Sequence, residues 1–131
     1  MRREVALALG GVSGADPAAQ ETLERLGEDR EMAVRAAAYV GRLLQGRPVP
    51  FPPGLDPRAA AGVLAEAAQL PALRETARTA PAEERRLAAA LALALLRDEV
   101  ALQVARTDPV PAVRHRVSGA LDVAAQAREA E

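Results

Sequence analysis

Cysteine, tryptophan and lysine are all missing from this 131-residue chain, so its seventeen Lys-or-Arg side chains are arginines throughout. Without cysteine there is no disulfide framework, no thiolate nucleophile and no cysteine-ligated metal, and a reducing compartment suits everything that is present. Aromatic residues amount to Tyr39 and Phe51. An apolar half dominated by alanine and almost free of rings fits closely packed helices better than a sheet sandwich. An excess of either charge is lacking too. Eighteen acidic residues balance the arginines to a formal net charge of −1, which excludes the strong positive field of a general nucleic-acid binder. The opening residues lead only into the short apolar stretch 5–9, too brief for the core of a signal peptide or for a membrane span, so a cytoplasmic setting is expected. The arginine-only cations beside abundant Ala, Gly and Pro reflect genome composition rather than chemistry.

What the chain does have is regular punctuation. Asp-Pro occurs at Asp16-Pro17, Asp56-Pro57 and Asp108-Pro109, each time just ahead of an apolar-periodic run. An Asp at the N-cap accepts hydrogen bonds from first-turn amides that have no helical partner. Pro at the first helical position gives up only an amide hydrogen that would have gone unused there. Asp29 and Asp98 stand where they can cap in the same way without proline. Together with Gly10, Gly27 and Gly46 as stop signals, these marks predict eight short helices, near residues 2–10, 17–26, 30–45, 57–69, 71–79, 82–96, 99–106 and 109–127.

Most of these segments carry a one-sided apolar stripe, such as Val34, Ala37, Ala38 and Leu44 in the third, and each must bury it against a neighbour. Residues 87–96 differ: they form an unbroken apolar run with no polar face, and belong at the centre of the core. The last helix has Val110, Val113, Val117, Leu121 and Ala124 at three- and four-residue spacing, with residues 128–131 expected to fray. Short connections favour antiparallel pairs, and repeated pairs favour lateral stacking. Aligning the arginine near the start of selected helices places Arg2, Arg35, Arg86 and Arg114 in register, with Val5, Ala38, Ala89 and Val117 three positions on. The spacings are 33, 51 and 28 residues; the outer two suit one helix pair per repeat, and the middle one is long by roughly a helix and a loop. The source of that excess is a connector at residues 46–56. Pro48, Pro50, Pro52, Pro53 and Pro57 fix φ and push the residues before them out of the helical region, so residues 47–55 should run extended, with Val49, Phe51 and Leu55 pinning them to the core.

The segment Asp108-Pro-Val-Pro-Ala-Val-Arg-His-Arg-Val-Ser-Gly-Ala-Leu121 resembles the HEAT repeat, in which Asp-Pro precedes Val-Arg and an apolar Val…Ala-Leu series. Residues 29–44, with Ala33-Val34-Arg35, are similar without the proline; residues 1–10 look like the second helix of a truncated repeat, and residues 81–93 form a weaker copy. The short variant found in phycobilin lyase subunits is the nearest form. The resemblance leaves residues 46–70 outside the pattern. It implies an all-α fold, a right-handed α-α superhelix (HEAT-like solenoid) of about eight short helices, filling residues 1–131 as one domain with a Pro-rich connector at 46–56. It also implies a concave side lined by the second helices and used for protein contacts, occasionally for nucleic acid. No catalytic residue, cofactor or metal comes with it. A lyase-like or chaperone role toward a pigment-bearing protein follows from the resemblance alone.

Chemistry-bearing motifs are few. Gly10-Gly11-Val12-Ser13-Gly14 lacks the strand before it and the Gly-Lys-Ser/Thr after it that a phosphate loop needs. Ser13 and Ser118 have no nucleophile-elbow context. The run Arg114-His115-Arg116 can hold a phosphate or carboxylate through forked guanidinium bonds and an imidazole, although Arg114 also stands where the repeat expects an arginine paired with an Asp cap. His115, the sole histidine, has no spaced metal-ligand set around it. Arg35, Tyr39 and Arg42, at i, i+4 and i+7, share a helix face opposite much of the apolar stripe, a composition typical of interface anchors; the competing role for Arg35 is a capping network. The expected activity is therefore non-catalytic: a protein-interaction or scaffold module whose concave face uses Arg35, Tyr39, Arg42, Arg114 and His115. The alternative is a nucleic-acid-binding or base-repair-type solenoid, which needs arginines of the second helices to converge on one groove. A stack that starts in mid-repeat exposes an apolar end, so self-association through the first helix is expected as well.

Overall fold

A computed structural model describes residues 17–67 and 69–129. Among them the chain is all-α, with seven helices and no strand: α1 (Pro17–Leu26), α2 (Met32–Leu44), α3 (Pro57–Ala67), α4 (Leu70–Thr79), α5 (Glu83–Leu95), α6 (Glu99–Thr107) and α7 (Pro111–Glu129). The helix expected at 2–10, its Arg2 and Val5 register and the caps at Asp16 and Gly10 lie outside the described residues. The other seven predicted helices each have a counterpart. Residues 128 and 129, expected to fray, continue α7.

The aspartates set the starts. Asp29, Asp56, Asp98 and Asp108 each accept, through one carboxylate oxygen, the N–H two residues on, from Glu31, Arg58, Val100 and Val110 at 2.9–3.0 Å. This is the same local turn four times: Arg58 and Val100 supply first-turn amides of α3 and α6, whereas Glu31 and Val110 stand just ahead of α2 and α7, so Asp29 and Asp108 turn the chain into those helices without being the N-caps that their positions predict. Two of the ends also repeat. After α2, Gly46 adopts φ 83° while its N–H bonds Leu43 O and that of Arg47 bonds Arg42 O; after α5, Arg97 adopts φ 53° while its N–H bonds Ala94 O and that of Asp98 bonds Leu93 O. Both are Schellman closures, one with the glycine that tolerates a left-handed backbone and one without it.

Consecutive helices pair as α1 with α2, α4 with α5 and α6 with α7. The second members form a row in which α5 touches α2 on one side and α7 on the other, and α4 touches α6 among the first members. The insertion is accommodated on the far side of that row, where α3 packs against α2, α5 and α7. Helix α5 is thereby covered on all sides, and Leu87, Leu91, Leu93, Leu95 and the alanines between them are buried, as an apolar run without a polar face requires. One continuous cluster extends from Leu23 in α1 to Leu121 in α7.

The connector between α2 and α3 is extended and then turns sharply. Leu55 N–H bonds Pro52 O, with Pro53 and Gly54 (φ 80°) between them, the residue choice that a type II turn demands. Leu55 is buried, and Val49 and Phe51 are half-buried against the core, so all three residues expected to pin the connector do so.

Candidate functional site

The repeat arginines are structural in geometry. Arg35, Arg86 and Arg114 each turn a guanidinium Nη1 back onto the carbonyl six residues earlier: Asp29 O at 2.9 Å, Ala80 O at 3.0 Å and Asp108 O. Arg35 and Arg86 also reach the carbonyl five residues earlier, on Arg30 and Pro81. Each ties the loop before a second helix to that helix. Only Arg86 among the three adds a carboxylate: its Nε and Nη2 donate to Asp108 at 3.0 and 3.4 Å, with both side chains close to fully buried. The expected pairing of Arg114 with a capping Asp is therefore corrected. Arg114 follows Asp108 in its own helix and reaches the carbonyl, whereas the carboxylate faces the preceding pair. Asp98 is held similarly by Arg74 at 2.7 Å.

The side-chain chemistry open to a ligand lies elsewhere, between the connector and α7. A cleft of about 420 Å³ runs there, lined on the connector by Val49, Pro50 and Phe51. Tyr39 of α2 and Leu91 and Leu95 of α5 line it from the second-helix row, and His115, Arg116, Gly119, Ala120 and Val123 line it from α7. Phe51 meets Tyr39 edge to face, with ring centroids 5.2 Å apart and planes at 80°, the arrangement favoured by aromatic quadrupoles. Arg116 Nη2 donates to Pro48 O at 2.9 Å and so clamps the connector to α7. Leu95 is shared with a second cleft of about 290 Å³ between the start of α3, with Pro57, Arg58 and Ala61, and the end of α7, with Ala124 and Ala127. The charged or titrating residues along the two are Arg58, His115 and Arg116, besides the Tyr39 hydroxyl; no carboxylate lines either cleft among the described residues. Burial pushes the Tyr39 hydroxyl up to about 12, against the pull of the Arg116 charge, so the phenol is neutral at physiological pH.

The five residues expected to bind a partner are not brought together. Tyr39 and His115 face the same cleft. Tyr39 is nonetheless buried, not part of a solvated face, because the connector and α3 cover the side of α2 that the helical spacing leaves free. Arg35 and Arg114 are spent on loop carbonyls. Arg42 points toward the end of α1, where a Cβ on Gly27 would lie 3.8 Å from its Nη2; burial lowers its affinity for the proton and Glu24 partly restores it. Arg116, which belongs to the run Arg114-His115-Arg116 but not to the five residues expected to bind, lines the cleft. Two residues beyond Arg114, it projects from the opposite side of α7, and its partner Pro48 lies 68 positions away.

Among the described residues no group of three or more His, Asp or Glu is placed to hold a metal ion, and no helix is long and apolar enough to cross a membrane. Comparison with protein-family models, with curated proteins and with solved structures finds no match to this chain.

Proposed function

We propose that this chain is a non-catalytic binding module, a HEAT-like stack of helix pairs expected to wind as a right-handed superhelix in the cytoplasm, which receives a segment of a partner protein between its connector and α7. The observation that carries this reading is the open, largely apolar cleft on the second-helix side, the side such stacks present to partners. Its margin includes Val123, one of two large apolar side chains left exposed among the described residues, at 39 %. The nucleic-acid alternative draws less support, since Arg35, Arg86 and Arg114 are tied to the chain's own loops and do not line the cleft.

A photo-crosslinking side chain placed at Val123 tests the proposal, with Leu102 of α6 as control because it is equally exposed, at 37 %. In extract from the native host, the Val123 probe should give one discrete protein adduct that the Leu102 probe does not. Equal labelling from both positions, or none from either, would count against a partner site in the cleft.

A further inference from the structure

The chemistry of the occupant follows from the rim, and the inference rests on the reading of the cleft as a partner site. Besides the Tyr39 hydroxyl the lining is apolar except where His115 and Arg116 stand, with no carboxylate in the cleft among the described residues; Arg58, on the adjoining cleft, already has Asp56 at 3.3 Å. Arg116 spends Nη2 on Pro48 O, and a guanidinium carries five N–H donors in a planar fork. In a chain of net charge −1, this is a local positive rim on an apolar trough.

Gly119 keeps the middle of the α7 wall open, as Gly62 does on α3 outside the cleft. It sits in the interior of α7, where glycine is less favourable than alanine. A Cβ built on it meets nothing within 4 Å, so no packing inside the chain calls for the missing methyl group. It leaves the backbone of α7 bare in the cleft wall.

We infer that the cleft takes a short apolar stretch of a partner protein that carries a carboxylate, seated over Gly119 with the carboxylate on Arg116 and His115. The wall that α7 gives this cleft, from His115 to Val123, is about 12 Å long at the helical rise of about 1.5 Å per residue. An extended stretch of about four residues spans that distance at roughly 3.3 Å each.

Short random peptides displayed on phage and selected on the intact chain test this, with the best binder measured by fluorescence anisotropy. Enriched sequences should combine apolar residues with Asp or Glu. Exchanging that acid for its amide in the peptide should weaken binding about tenfold, as loss of a charge-assisted bond does. Arg116→Gln, which keeps a donor for Pro48 O, should weaken the acidic peptide about equally but not its amide form, and Arg116→Lys should recover part of the loss. Gly119→Leu should abolish binding, with the helical content and melting of each variant checked alongside. Peptides without an acid, or indifference to the amide exchange, would overturn the carboxylate assignment while the partner reading stands. Peptides that ignore Gly119→Leu bind elsewhere and would overturn both. If selection yields nothing while the Val123 probe still captures a protein, the short-segment inference alone fails. A fatty acid or DNA duplex that binds where no peptide does would also overturn it.

Discussion

Arg97 and Gly46 occupy equivalent positions 51 residues apart, the spacing that also relates Arg35 to Arg86, yet only one of them suits its backbone. A left-handed φ costs a residue with a Cβ on the order of 1–2 kcal/mol, and part of that gain is offset by the greater freedom of glycine in the unfolded chain. Arg97→Gly should therefore raise the unfolding free energy by about 0.5–1 kcal/mol, and Gly46→Ala should lower it by about 1 kcal/mol or more, both measurable by urea denaturation. The same result for both substitutions would contradict the equivalence. Tyr39 offers a second test, because it is the sole tyrosine and its phenolate absorbance is unambiguous. With the hydroxyl raised to about 12 by burial, the absorbance should stay low as pH passes about 10, where an unfolded chain ionises. The unfolded state loses its proton first, so the contribution of Tyr39 to stability is full below pH about 10 and declines as pH rises toward 12.

Helix starts were legible where their causes are local: a carboxylate bonds the amide two residues on, and Asp56 and Asp98 say so by their positions alone, whereas α7 begins at Pro111, two residues later than Asp108-Pro109 announces. What they bind besides that amide was not legible. Burial alone would raise the Asp108 carboxyl, but the hydrogen bond from Arg86 and that from the Val110 N–H outweigh it and hold the group below the usual carboxylate range. For Asp98 the largest influence is the bond from Arg74, which holds the carboxyl low as well. These arginines lie 22 and 24 residues upstream, a distance no capping motif encodes. Asp108→Ala removes the turn ahead of α7 and strands Arg86 in a nearly closed site, so we expect a loss of about 3 kcal/mol in denaturant unfolding. Because both carboxyls are depressed in the folded state, the unfolded chain binds their protons first as pH falls below about 4. The stability they contribute is complete above that value and is lost on further acidification, and the acid limb of a stability–pH profile should be shallower in Asp108→Ala.

For the whole molecule the decisive element is α5, which packs against α2, α3, α4, α6 and α7. Its amides should exchange with deuterium only through global unfolding, and so more slowly than those of α1 or α3, as hydrogen-exchange mass spectrometry can show. That central place was readable from residues 87–96, since a helix without a polar side has nowhere else to go. The cleft was not. It requires residues 49–51 to fold back over Tyr39 and Arg116 to reach Pro48, and the spacing of Arg35, Tyr39 and Arg42 describes α2 without its cover. Proline spacing announced a connector but not which side of the row it would take. Its actual course has a bearing on how such a molecule diverges. A loop that forms one wall of the cleft, anchored at a hydrogen bond and a ring contact, can be lengthened, trimmed or recoded while the coils behind it keep their seating. Cleft and framework are thus open to separate change.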